Sequence, residues 1–187
     1  MHPDFKLPSK GTIKGRSSTI TAAFFTAITP VVEPTDAEVD DALMILGMSR
    51  GRCVCVYCGG LKSEWDHFRP IVENQQPTGF ITEIANLVPS CGKCNQSKGK
   101  QHWKAWLLGS APGSPKSRGI HDLDTKVERL DAYEKWRQPI QLNYPAIVGE
   151  ELWTKHLQNR KSLLTAMTEA QTHAEKLRTA ISSQLKT

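Results

Sequence analysis

The sequence predicts an α+β fold: a strand–strand–helix core stapled by four cysteines, surrounded by helices and extended by a long C-terminal helix. Three observations lead there. Two Cys-x-x-Cys pairs, Cys55/Cys58 and Cys91/Cys94, bracket a stretch of strand, turn and strand character. Apolar residues recur at helical spacing on both sides of it. With 39% hydrophobic and 23% charged residues, the 187-residue chain can build a real core, which excludes a disordered protein.

The elements follow in order. Residues 1–17 form a basic N-terminal arm, with Pro3, Pro8, Gly11 and Gly15 among Lys6, Lys10, Lys14 and Arg16. It is either an unstructured terminus or a segment laid along nucleic acid. Residues 18–50 are a helical region. Ile20, Phe24, Ala27 and Ile28 mark one helix, ended by Pro30. Thr35-Asp36-Ala37-Glu38 is a capping box for a second, with Val39, Leu43 and Leu46 as its stripe and Gly47 as its stop.

Residues 51–108 hold the core. Cys55 to Gly60 is a tight turn that aims two thiolates at one point. Trp65 to Phe68 reads as a strand closed by Pro70, residues 74–79 (NQQPTG) as a turn, and Phe80 to Pro89 as mainly extended. A helix starts at Gly92, is broken by Gly99, and is followed by a short helical piece, His102 to Leu108.

Residues 109–121 are a basic Gly/Pro/Ser loop, and residues 122–187 a C-terminal helical region. Leu123, Val127, Leu130 and Tyr133 define a helix to Trp136, and Pro145 falls in the loop beyond. From Gly149 one long helix carries a seam of Leu163, Met167, Ala170, Ala174, Leu177 and Ile181. Packing on its own protein is the first expectation for that seam; a homodimer contact is the alternative.

The net charge of +5 leans towards a polyanionic partner. Its distribution says more. Residues 84–121 contain no acid, whereas residues 17–49 contain no Lys or Arg. The basic run overlaps the cysteine block, so Lys93, Lys100, Lys104, Lys116 and Arg118 are candidate phosphate contacts. No membrane span is present, because the apolar stretch Ile20 to Val32 is short and broken by threonines.

Five cysteines, four of them paired at metal-ligand spacing, suit metal binding in a reducing cytoplasm better than disulfides. Four thiolates close a tetrahedral zinc, leaving it a structural role. Cys53 is the odd one and is either free or a competitor for the metal. Asp66, His67, Asn86 and Asn95 lie between or beside the pairs and are of kinds that bind or orient hydrated metals. Asp66 and His67 are adjacent, so in a strand they point to opposite faces. One carboxylate and one amide oxygen suit Mg²⁺ or Mn²⁺, and a neutral imidazole can take a proton from water. Each residue alone has a structural alternative: a core histidine, or an asparagine cap.

The elements CVYC, EWDHFRP, ANLVPSC, GKCNQSKG and the tryptophans Trp103 and Trp106 resemble the zinc-containing HNH endonucleases, a branch of the ββα-metal nucleases. PTG before the second strand and PTDAEVDDALMILGM resemble HNH restriction endonucleases in particular. The resemblance covers about a quarter of the chain and leaves the flanking helices uncovered. It implies that His67 is the general base, Asp66 a ligand of the catalytic divalent cation, and Asn86 an orienting residue. Asn95 stands where the family often has histidine and would be the second ligand, which favours Mg²⁺ or Mn²⁺. Lys98 would lie near the scissile phosphate.

The function expected is metal-dependent hydrolysis of double-stranded DNA, as a restriction-type endonuclease. Competing readings are a non-catalytic zinc module that binds nucleic acid, and an HNH nuclease used for nicking, on RNA or junctions, or as a toxin.

Overall fold

The computed structural model describes residues 7–185. The first six residues of the expected basic arm lie outside them. The chain forms two compact units, one from the segments ending at Ala27 and starting at Tyr144, the other spanning Ile28–Asn143.

In the first unit a 3-10 turn, Lys14–Arg16, leads into α1, Ser17–Thr26. A short helix, α6 (Tyr144–Val148), precedes α7 (Glu150–Gln184). α6 replaces the loop expected there, because proline in a first helical turn has no N–H to lose. Phe25 is fully buried against Trp153, and His156 Nε2 lies 3.1 Å from the Phe24 carbonyl. The inner part of the expected arm is bonded to α7: Ile13 donates its N–H to Gln171 Oε1 at 2.7 Å, and Arg178 donates to the Gly11 carbonyl. The seam of α7 is largely uncovered, with Leu163, Leu177 and Ile181 all exposed.

The second unit carries the cysteine block. It begins with α2, Asp36–Ile45, capped as the sequence predicts: Thr35 Oγ1 accepts from the Glu38 N–H and Glu38 Oε2 accepts from the Thr35 N–H. The acids of α2 have partners, Asp36 and Asp40 on Arg50 and Glu38 on Arg137. β1 (Glu64–His67) pairs antiparallel with β4 (Leu87–Ser90), placing Asp66 opposite Val88 and His67 opposite Leu87.

Between them the expected turn is a small hairpin, β2 (Val72–Glu73) and β3 (Gln76–Pro77). Its two turn residues, Asn74 and Gln75, both have positive φ, the backbone that a two-residue hairpin turn requires. A 3-10 turn, Ile84–Asn86, interrupts the run expected to be extended. Tyr133 holds that turn in place, donating to the carbonyls of Ile84 and Leu87.

α3 (Gly92–Lys98), α4 (Trp103–Leu107) and α5 (Leu123–Trp136) complete the unit. One core joins α2, β4, α4 and α5 through Ala42, Val88, Trp106 and Leu130, with Phe68, the residue after β1, among them. Phe68 stacks on Trp103 and meets Tyr133 edge-on, centroids 5.5 and 5.4 Å apart. Rings of this size each remove about 150–250 Å² from water, on the order of 4–6 kcal/mol before entropy. The residue next to His67 is therefore an anchor. No described helix is long and apolar enough to cross a membrane.

Candidate active site and metal centre

The metal centre is built from two local devices. In the first, Gly59 at φ +74° lets its N–H reach the Cys55 carbonyl, while the Cys55 N–H donates to Gly60, both at 2.7 Å. This turn points Cys55 and Cys58 the same way. In the second, Cys91 caps α3 and Cys94 lies in its first turn. Strand β4 joins the two, since Val56 N–H donates to Pro89 and Ser63 N–H to Ser90.

All four Sγ atoms lie within 4.8 Å of one another, and Cys58 and Cys91 Sγ are 3.8 Å apart. Four sulfurs at about 2.3 Å from a tetrahedral zinc would be about 3.8 Å apart. The donor set therefore fits zinc. The Cys94 thiol and nearby backbone N–H groups hold Cys55 down to about 4. Cys53 is not in the cluster; its thiol is 3.7 Å from the Ser49 carbonyl.

Strand alternation splits the Asp66-His67 pair. His67 shares a face with Trp65, and its Nε2 lies 2.9 Å from Thr82 Oγ1. It lines a cleft of about 430 Å³ with Pro34, Val39, Trp65, Thr82, Ile84 and Leu87. Burial lowers its pKa below the usual histidine value, and the charge of Lys98 adds to the effect.

Asp66 points the other way and is buried. Its Oδ2 accepts from the Tyr57 hydroxyl at 2.6 Å and from Lys98 Nζ at 3.2 Å. Burial raises its pKa, opposed by Lys98 and Tyr57. Asn86 has no exposed surface. Its Oδ1 accepts from the Arg69 N–H at 2.7 Å, and its Nδ2 donates to the carbonyls of Arg69 and Ile81. It thus clamps the turn that follows His67.

Asn95 is half-buried, three residues before Lys98 on α3, so the two share a helix face. Lys98 reaches Asp66 from that face. A carboxylate oxygen and an amide oxygen are hard donors of the kind that Mg²⁺ or Mn²⁺ takes. The donor chemistry fits such a cation, although the Lys98 charge opposes it.

Three of the expected contacts to phosphate have partners within the chain. Lys98 is not a free phosphate contact: its side chain has no exposed surface and its ammonium is bonded to Asp66 and to backbone carbonyls. Arg118 places Nη1 3.2 Å from Cys94 Sγ, so it serves the metal centre. Lys104 bonds to Asp131 at 2.7 Å. Lys93, Lys100 and Lys116 remain exposed, Lys100 with its Nζ 3.4 Å from Asn74 Oδ1.

Thr82, Tyr57 and Arg118 are partners of the site that sequence reasoning did not assign to it. No spacing rule marks Thr82 or Tyr57, because register and packing bring them in. Arg118 was visible only as one charge in a basic run.

Two antiparallel strands and a helix, pinned by four thiols and carrying a histidine at the end of the first strand, define a ββα metal-binding unit. Residues 55–101, about a quarter of the chain, match the family model described as HNH endonuclease. Comparison with curated proteins and with solved structures gave no match.

Proposed function

We propose that this protein is a metal-dependent DNA endonuclease that hydrolyses phosphodiester bonds, with a restriction-type role. The observation that carries the reading is His67: an imidazole whose pKa burial lowers, bonded to Thr82, on the wall of a cleft within the segment that matches the HNH model. In the tautomer that donates Nε2–H to Thr82, Nδ1 keeps the lone pair that would take a proton from the attacking water. Asn86 and Phe68 hold the backbone on either side of that geometry. Asp66 and Asn95 would hold Mg²⁺ or Mn²⁺, which when bound supplies electrostatic stabilisation of phosphate and leaving oxygen. Cys55, Cys58, Cys91 and Cys94 would hold a structural zinc. Exposed Lys93, Lys100 and Lys116 would track the DNA backbone.

One histidine serves one strand. Cutting both strands then calls for a second copy or a second event, and the exposed seam of α7 is the proposed homodimer contact. The test is digestion of plasmid and genomic DNA with Mg²⁺ or Mn²⁺. Discrete fragments support the restriction role, nicked circles or a smear support a nuclease of another role, and DNA binding without cutting supports the zinc module.

A further inference from the structure

We propose that Lys98 is the resident counter-ion of Asp66, and that it keeps the affinity of this carboxylate for a divalent cation low until a substrate phosphate joins. This rests on the reading of Asp66 and Asn95 as the ligands of that cation. An ammonium has three N–H donors. Lys98 donates two of them, to His67 O at 3.0 Å and Gly99 O at 3.2 Å, and its ammonium forms an ion pair with Asp66 Oδ2 at 3.2 Å. Its side chain is wholly buried and that of Asp66 is 4% exposed.

Tyr57 donates to the same Oδ2, so both partners converge on one oxygen and Oδ1 is left. A dication brought to Oδ1 meets the lysine charge across a few ångströms of buried protein, where screening is weak. Asp66 supplies one negative charge against three positive ones, and the Asn95 amide supplies none. A phosphodiester adds a second negative charge. Cation and DNA therefore bind better together than apart, and the coupling is reciprocal. The bond to the His67 carbonyl gives the same ammonium a hold on the backbone of the proposed base, so Lys98 is a positioning residue.

The test is Mn²⁺ binding to the zinc-loaded full chain without DNA, followed by the paramagnetic resonance of free Mn²⁺. Lys98→Met is expected to bind at least about tenfold tighter than wild type. The double variant Asp66→Asn/Lys98→Met removes both charges together and is expected to lose this site. A folded Lys98→Met that binds no tighter than wild type overturns the proposal, as does a double variant that binds as well as Lys98→Met. If Lys98→Met does not fold, the ammonium resonance of Lys98 is followed in wild type as Mg²⁺ is added. A shift that tracks Mg²⁺ binding supports the proposal, and an unmoved signal at saturating Mg²⁺ overturns it. Failure of the nuclease reading would show separately, as intact Mn²⁺ binding without DNA cleavage.

Discussion

Asp66 and His67 are neighbours in sequence and serve opposite faces of β1. Asp66 is tied to Tyr57 and Lys98 in the interior, and His67 to Thr82 on the wall of a cleft. The two variants should therefore behave differently in unfolding experiments. Asp66→Asn leaves the Lys98 ammonium buried without its counter-charge and is expected to cost about 3–5 kcal/mol of stability. His67→Ala should cost about 1 kcal/mol or less, since it removes a half-buried ring from a cleft wall. Denaturant melts of both, at equal zinc content, check this; equal destabilisation would contradict the placement of the two side chains.

The pH dependence follows from the direction of the His67 shift. Its pKa is lowered by burial and by Lys98, so the neutral base persists below the usual histidine range. The sign for stability is the same: the unfolded chain takes the proton first, so the fold loses stability as pH falls through the ordinary value of about 6.5. The acid limb of kcat/KM should lie below that value. Thr82→Val, which removes the hydroxyl beside Nε2, should lower kcat by about tenfold and displace the limb. An acid limb above 6.5 would contradict the environment described for His67.

Asn86 satisfies one backbone N–H and two carbonyls from a fully buried position. Asn86→Ala leaves them without partners, at a cost of about 2–4 kcal/mol. Its effect on cleavage should appear mainly in kcat, because the turn after His67 loosens while exposed lysines still bind DNA. Calorimetry together with steady-state kinetics measures both.

Zinc should be present at about one per chain, and a strong chelator should unfold the Ile28–Asn143 unit. Cys55→Ser and Cys94→Ser should prevent loading, whereas Cys53→Ala should change nothing. Arg118→Ala removes a donor to Cys94 Sγ and should weaken zinc about tenfold or more. Competition with a chromogenic chelator gives these affinities.

At the capping box, Glu38 is held at about 2 by Arg137 and by Thr35. Its folded pKa is depressed, so its contribution is present above the usual carboxylate range and is lost as pH falls towards 2. Glu38→Gln should flatten stability against pH in that window, as acid titrations of the two proteins will show.

Much of this was legible in the sequence because the signals were local. Cys-x-x-Cys spacing, the Thr35–Glu38 box and the apolar period of Leu123 to Trp136 each specify structure over a few residues. What was missed depended on distance in the chain. Thr82 meets His67 only through the 3-10 turn at Ile84–Asn86, and that turn depends on Tyr133 from α5. Lys98 was expected near the scissile phosphate, because nothing in its spacing announces an acceptor on β1. Arg118 lies in a basic loop, and only the fold aims it at a thiolate. The seam of α7 was expected to pack on its own protein or to form a homodimer contact, and Leu163, Leu177 and Ile181 are exposed, because periodicity reports a stripe without saying what covers it.

The most direct measurement is cleavage of supercoiled plasmid by the zinc-loaded protein with Mg²⁺ or Mn²⁺, beside His67→Ala and a chelator control. The account predicts cutting by wild type, none with chelator, and a loss of at least about 100-fold in His67→Ala with DNA affinity unchanged. Wild-type protein that is folded, zinc-loaded and bound to DNA yet leaves it intact, or a His67→Ala that cuts as well as wild type, would contradict it.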